Sequence, residues 1–186
     1  PNIERLIHKG SFGRLRSTDP PLTSPAWPTL YTGKQGGKHG IFGFTRTRQD
    51  TYEQVPVNYD DVKAETLWEI LDAEGVSCGV VNVPVTYPPS DLKNGFVISG
   101  WPTPNNVEVA NPPSVRQELE SELGARYEVN PFPLTIEFDQ FENDRLFEEI
   151  KDGLWHHQQA FKFLIENNDL EVFFGVFMAT DIASHN

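Results

Sequence analysis

The sequence predicts an α/β fold, a three-layer α/β/α sandwich around a mostly parallel sheet. Three observations carry that prediction. Ser77-Cys78-Gly79-Val80-Val81-Asn82-Val83 and Val172-Phe173-Phe174-Gly175-Val176-Phe177-Met178 run apolar without alternation, the pattern of strands covered on both faces. Segments with apolar residues at helical spacing lie between and before them. Alternating helices and buried strands belong to layered α/β architectures.

The elements follow in order. Ile3, Leu6 and Ile7 recur at helical spacing and Gly10 stops the pattern, so residues 1–9 read as the end of a helix. Ser11 to Leu15 reads as a short strand or turn. Asp19-Pro20-Pro21 breaks regular structure. A helix is expected from Thr23 or Ser24 to about Gly33, with Pro25 tolerated in its first turn. Residues 34–61 are loop-rich. From Val62, the residues Leu67, Ile70 and Leu71 mark an amphipathic helix closed by Gly75. The strand at 77–83 follows, then a Pro-rich link and a short strand at Phe96-Val97-Ile98-Ser99. Ser114 with Gln117 carries a capping-box signature, with Val115, Leu119 and Leu123 as the buried face behind it. The longest helix is expected from Asn143 to Asn167, with Leu146, Ile150, Leu154, Phe161, Leu164 and Ile165 inward. The strand at 172–178 closes the order. Residues 1–186 therefore read as one α/β catalytic-domain fragment, with room for inserted cap elements within 84–141.

Composition narrows the function. Twenty-seven acidic residues against 15 basic give a net charge of −12, which excludes a nucleic-acid polymer as the natural partner, since phosphate backbones need clustered Lys and Arg. A small phosphate substrate stays compatible, because bound metal ions invert the local charge. The single cysteine, Cys78, rules out an internal disulfide framework and reads as a small core residue. No stretch approaches the roughly 18 apolar residues of a membrane span. The chain opens at Pro1, already inside a helical pattern, so it is expected to be part of a longer protein, and its compartment stays open.

Two motifs carry chemistry. Leu22-Thr23-Ser24-Pro25-Ala26-Trp27-Pro28 places a hydroxyl at a helix start, where exposed backbone N–H groups and the helix dipole favour a phosphate. A Thr hydroxyl is protonated at neutral pH, so it attacks phosphorus only when a base or a metal activates it. From spacing alone Thr23 reads first as an N-cap. At the far end, Asp181 and His185 stand four residues apart after a buried strand. On a helix such a pair shares one face and can reach one ion, and oxygen and nitrogen ligands suit zinc or manganese. Alone, the pair reads first as a solvated helix start.

Taken together, the two motifs resemble the type I phosphodiesterase/nucleotide pyrophosphatase family of the alkaline phosphatase superfamily. Thr23 with Pro25, then Thr32-Gly33, His39-Gly40-Ile41, and Asp181 with His185 match the family pattern in order and distance. The resemblance implies an alkaline-phosphatase-like fold, with Thr23 as nucleophile and as contact to one metal while Asp181 and His185 hold another. Ser24 is the alternative nucleophile. It further implies two divalent ions, usually zinc, that clamp the attacking and leaving oxygens, and a small phosphodiester or nucleotide-like substrate. Lys34, Lys38 and His39 are the candidate contacts to that substrate. The family's remaining metal ligands fall before Pro1 and after Asn186, so these 186 residues are expected to carry part of a binuclear site and to be inactive in isolation. Better-known nucleotide pyrophosphatases carry an Asn where this chain has Ala26, which leaves the substrate class open. Monoesterases, sulfatase-like enzymes and phospho-group transferases on glycan or lipid precursors share the same core. A non-catalytic acidic binding module is the rival from another class.

Other features rank lower. Gly33-Lys34-Gln35-Gly36-Gly37-Lys38-His39-Gly40 imitates a phosphate-binding loop, but Lys38 stands where the Walker pattern needs glycine. His156 and His157 are adjacent on a helix and point apart. Trp101-Pro102-Thr103-Pro104 reads as a packed loop, with stacking against a base or sugar as the alternative.

Overall fold

A computed structural model describes residues 2–129 and 140–184 of the chain. The N-terminal third holds α1 (Asn2–Lys9), α2 (Thr23–Thr32), α3 (Gly36–His39) and a small antiparallel hairpin of β1 (Thr45–Thr47) and β2 (Gln54–Pro56). Then come α4 (Leu67–Ala73), β3 (Cys78–Val83), β4 (Gly95–Ser99), β5 (Ala110–Asn111) and α5 (Pro113–Leu123). The C-terminal third holds α6 (Gln140–Asn167), β6 (Val172–Gly175) and α7 (Ala179–Ser184). The main sheet has the order β5-β4-β3-β6, with β4 and β6 both parallel to β3 and β5 antiparallel to β4. Helices flank it, so the fold is the mixed, mostly parallel α/β arrangement that the alternating pattern predicts.

The two faces of β3 bury two separate cores. Val80 and Val97 pack with Tyr31 of α2 and Trp68 of α4. Val81, Phe96 and Ile98 pack with Val115 and Leu119 of α5 and with Ala160, Phe161 and Leu164 of α6. Every residue of β3 is buried, and each large apolar side chain so covered contributes about 1.5–3 kcal/mol. Asn82 interrupts the alternation. It takes a positive φ of 59°, the register slips between Val81 and Val83, and Val83 joins the first core instead of the second. Cys78 is buried beside it, and burial pushes its thiol pKa up, as expected of a core residue.

Several sequence expectations need correction. Helix α4 starts at Leu67, where Thr66 and Glu69 form a reciprocal capping box. Its buried residue is Trp68, 2% exposed, while Leu67 and Ile70 stand out at 42% and 47%. The inward face is thus Trp68 and Leu71, chosen by the aromatic contact between Trp68 and Tyr31 at 4.9 Å. Ser114 caps nothing, because α5 starts one residue earlier at Pro113, whose ring presets the φ of a first helical position. On α6, Leu154 and Ile165 are exposed, and His157 takes a place on the buried stripe with Ile150, Ala160, Phe161 and Leu164. His156 is exposed, so the two adjacent histidines do point apart. Strand β6 ends at Gly175 and is only half-buried, since β3 is its sole strand neighbour among the described residues. Ser11 to Leu15 forms no regular element. Within 84–113, β4 and β5 belong to the main sheet.

Candidate active site

The start of α2 is set by Leu22, extended at φ −118° and ψ 150°, which contributes no side-chain cap. Thr23 is therefore the first helical residue, not the N-cap, and its hydroxyl makes no hydrogen bond among the described residues. The first intrahelical bond is Ala26 N–H to Leu22 O at 3.1 Å. The amides of Thr23 and Ser24 have no earlier turn to bond to and make no backbone hydrogen bond among the described residues, and Pro25 has no N–H. Pro28 removes a further backbone donor inside the helix. The Thr29 hydroxyl bonds back to Pro25 O at 2.8 Å and the Thr32 hydroxyl to Pro28 O, which keeps the Pro-containing turns closed. Tyr31 anchors α2 by donating to Val85 O at 3.2 Å, just past the carboxyl end of β3.

Asp181 lies in the first turn of α7, six residues beyond β6, and is exposed. Thr23 and Asp181 line one cleft of about 420 Å³ at the carboxyl end of β6, with Ser17, Leu22, Ala26, Trp27, Met178 and Thr180 among its other walls. Ligands of open α/β sheets collect at such strand ends. The tertiary structure thus brings together two residues 158 positions apart in the chain. Ser24 is separated from them. It is buried, its hydroxyl has no partner among the described residues, and it does not line the cleft.

The other candidates are placed elsewhere. His185 lies outside the described residues. Lys34 and Lys38 are exposed and follow the opposite end of α2 from Thr23, and ten helical residues span about 15 Å. His39 is fully buried and lines no part of the cleft. Its Nδ1 accepts from Ile41 N–H at 3.1 Å and its Nε2 lies 3.0 Å from the Thr29 hydroxyl. Because the Thr29 proton goes to Pro25 O, Nε2 must carry the ring proton, and burial holds the His39 pKa below its usual range. With both nitrogens engaged inside the protein, His39 ties the 33–41 loop to α2. Gly40, at φ 84°, allows the turn that aims it there.

Thr23 and Asp181 are hard oxygen donors of the kind that divalent cations take. Their chemistry fits a metal ion, but their number does not complete one. Among the described residues no group of three or more His, Cys, Asp or Glu side chains could hold a metal, and a structural or catalytic zinc needs three or four protein ligands.

Two features escaped the sequence. Trp27 of α2 and Phe177 beyond β6 line the same cleft. A buried polar network also joins three distant elements. Tyr127 donates to Asn82 Oδ1 at 2.9 Å, and His157 Nε2 lies 3.2 Å from Glu128 O and 3.4 Å from Asn82 Nδ2. Burial lowers the His157 pKa. Only the misplaced polarity of His157 within an apolar stripe hinted at that network.

Among known proteins, the model of the family described as Type I phosphodiesterase / nucleotide pyrophosphatase matches residues 1–186. No curated protein and no solved structure matches the chain.

Proposed function

The chain belongs to the type I phosphodiesterase/nucleotide pyrophosphatase family, and from that premise we propose that Thr23 is the nucleophile of a phosphoric ester hydrolase. The family comprises hydrolases of the alkaline phosphatase superfamily that act on small phosphodiester and nucleotide substrates and are generally metal-dependent. The observation that carries the reading is the shared cleft of Thr23 and Asp181 at the carboxyl end of β6.

In this reading the substrate phosphate sits at the start of α2 beside the Thr23 amide, where the N-terminal dipole of α2 offsets its charge. The Thr23 oxygen forms a bond to phosphorus as the bond to the leaving alcohol breaks. The hydroxyl proton passes from Thr23 to solvent water, and the departing alkoxide takes up a proton from solvent. Water then cleaves the phospho-Thr23 ester and restores the hydroxyl. Thr23, Asp181 and His185 would hold divalent cations, zinc or manganese, whose charge favours the Thr23 alkoxide and the developing charge on phosphorus. Asp181 brings its carboxylate to the cleft from the first turn of α7.

The test uses the full-length protein and an activated diester such as bis-nitrophenyl phosphate. Thr23→Ala is expected to lower turnover by at least about a thousandfold, the scale of losing a covalent nucleophile. Chelation is expected to silence the wild type, with activity restored by zinc or manganese. Normal hydrolysis by Thr23→Ala would overturn the assignment.

A further inference from the structure

A second cleft, of about 700 Å³, opens at the carboxyl end of β4. That volume falls in the range of about 300–1,000 Å³ typical of small-molecule sites. Its walls come from the loop after β4, the first turn of α5 and the 126–129 segment, and its polar and aromatic lining includes Trp101, Asn105, Asn106, Arg116, Arg126 and Glu128. Nothing in the reaction proposed above uses them.

We infer that this cleft binds a neutral, polyhydroxylated ring: the sugar portion of the phosphoester. Three observations lead there. First, Trp101 offers a preset aromatic face. Its carbonyl accepts from Val85 N–H at 2.9 Å, and its ring meets the edge of Phe44 at 5.7 Å, so the platform is held by the fold itself. Second, the amides of Asn105 and Asn106 are exposed and make no side-chain hydrogen bond among the described residues. Each amide both donates and accepts, which matches what a row of hydroxyls requires. Third, the charges are already balanced. Arg116 bonds Glu120 at 2.8 Å and lies 3.6 Å from Glu108, while Glu128 stands in the same wall as Arg126. A second phosphate would meet the carboxylates of Glu108, Glu120 and Glu128 around the two arginines, whereas a neutral ligand meets stacking surface and hydrogen bonds.

Position links the cleft to the reaction. Strands β4 and β6 both neighbour β3 in parallel, so their carboxyl ends lie about 10 Å apart on one sheet edge. That is a gap that a sugar joined to a phosphate bridges. Tyr127, also in the wall, is fixed to Asn82 at the end of β3 by its 2.9 Å bond, so this wall of the cleft is tied to the central strand. The assignment of the sugar to the scissile ester rests on the hydrolase reading, but sugar binding itself does not.

The experiment therefore has a binding arm and a kinetic arm, both on the full-length protein. Saturation-transfer NMR with methyl hexosides and methyl N-acetylhexosaminides is expected to show saturable binding. Trp101→Ala and the milder Asn105→Ala should each weaken it about tenfold, the scale of one lost stacking or hydrogen-bonding partner, while Thr23→Ala leaves it unchanged. In the kinetic arm, Trp101→Ala and Asn105→Ala should raise KM about tenfold for a glycosyl phosphodiester and leave methyl nitrophenyl phosphate unaffected. Absence of saturable sugar binding, or Trp101-dependent binding of adenosine in its place, overturns the inference. Equal KM changes on both esters also overturn it. Sugar binding without any turnover supports the cleft's assignment and contradicts only the hydrolase reading.

Discussion

Replacing His39 with leucine separates a structural histidine from a substrate-binding one. Leucine fills much of the same volume but offers no acceptor. The Ile41 N–H, now bonded to Nδ1 at 3.1 Å, would be left buried and unpaired at a cost of about 1–3 kcal/mol. The Thr29 hydroxyl keeps its bond to Pro25 O and loses only the one from Nε2, about 1 kcal/mol more. The sum is about 2–4 kcal/mol, which for a chain of 186 residues corresponds to a fall of about 6–12 °C in Tm. The assay is thermal and urea unfolding followed by circular dichroism, with diester hydrolysis measured at 25 °C on the folded variant. Turnover should stay within about threefold of wild type, because His39 lines no part of the Thr23 cleft. The pH dependence adds a second readout. Burial lowers the folded pKa of His39, so between that value and the unfolded value of about 6.5 the unfolded chain binds the extra proton. The stabilisation is complete above about pH 6.5 and is lost as the pH falls, with a slope of at most about 1.4 kcal/mol per pH unit. His39→Leu should flatten that acid slope by one proton. An unchanged Tm together with a tenfold loss of turnover would refute this reasoning and return His39 to the substrate.

Three more predictions follow from the geometry. Lys34→Ala/Lys38→Ala should leave KM for a phosphodiester within twofold of wild type, since α2 carries both residues away from Thr23; a tenfold rise would show that they reach the phosphate. Gly100→Ala should cost about 3 kcal/mol in urea unfolding, because a Cβ there would overlap the Val83 carbonyl and the Asn82 backbone; an unchanged midpoint would contradict the close approach of β3 and β4. Tyr127→Phe should cost about 1–3 kcal/mol by leaving the buried Asn82 Oδ1 without its donor, and a change below 0.3 kcal/mol, taken as roughly the resolution of such fits, would mean that the bond contributes nothing net.

Local pattern and tertiary packing divided the information between them. The unbroken apolar run of β3, the proline-marked start of α2 and the long period of α6 are local facts, and each declared its element directly in the sequence. The hydroxyl of Thr23 and the carboxylate of Asp181 were legible for the same reason, since a helix start and a strand end are positions that nearby residues specify. What periodicity leaves undetermined is which of several overlapping stripes turns inward. Leu67 and Ile70 fit an apolar stripe as well as Trp68 and Leu71 do, and only the Tyr31 ring on α2 decided for Trp68. His157 sits inside because Asn82 and Glu128 offer it polar neighbours from far along the chain. His39 follows a glycine-rich loop that resembles a phosphate cradle in one dimension. In three dimensions it is pinned beneath α2, since a hydrogen bond to Thr29 ten residues away, invisible to any local pattern, satisfies it better than solvent does. The sequence by itself determined the elements and the two ends of the candidate site. The tertiary structure alone decided that those ends meet in one cleft and that the lysines do not, because a side chain's neighbours across the fold are set by how layers pack, and packing is a property of the whole chain.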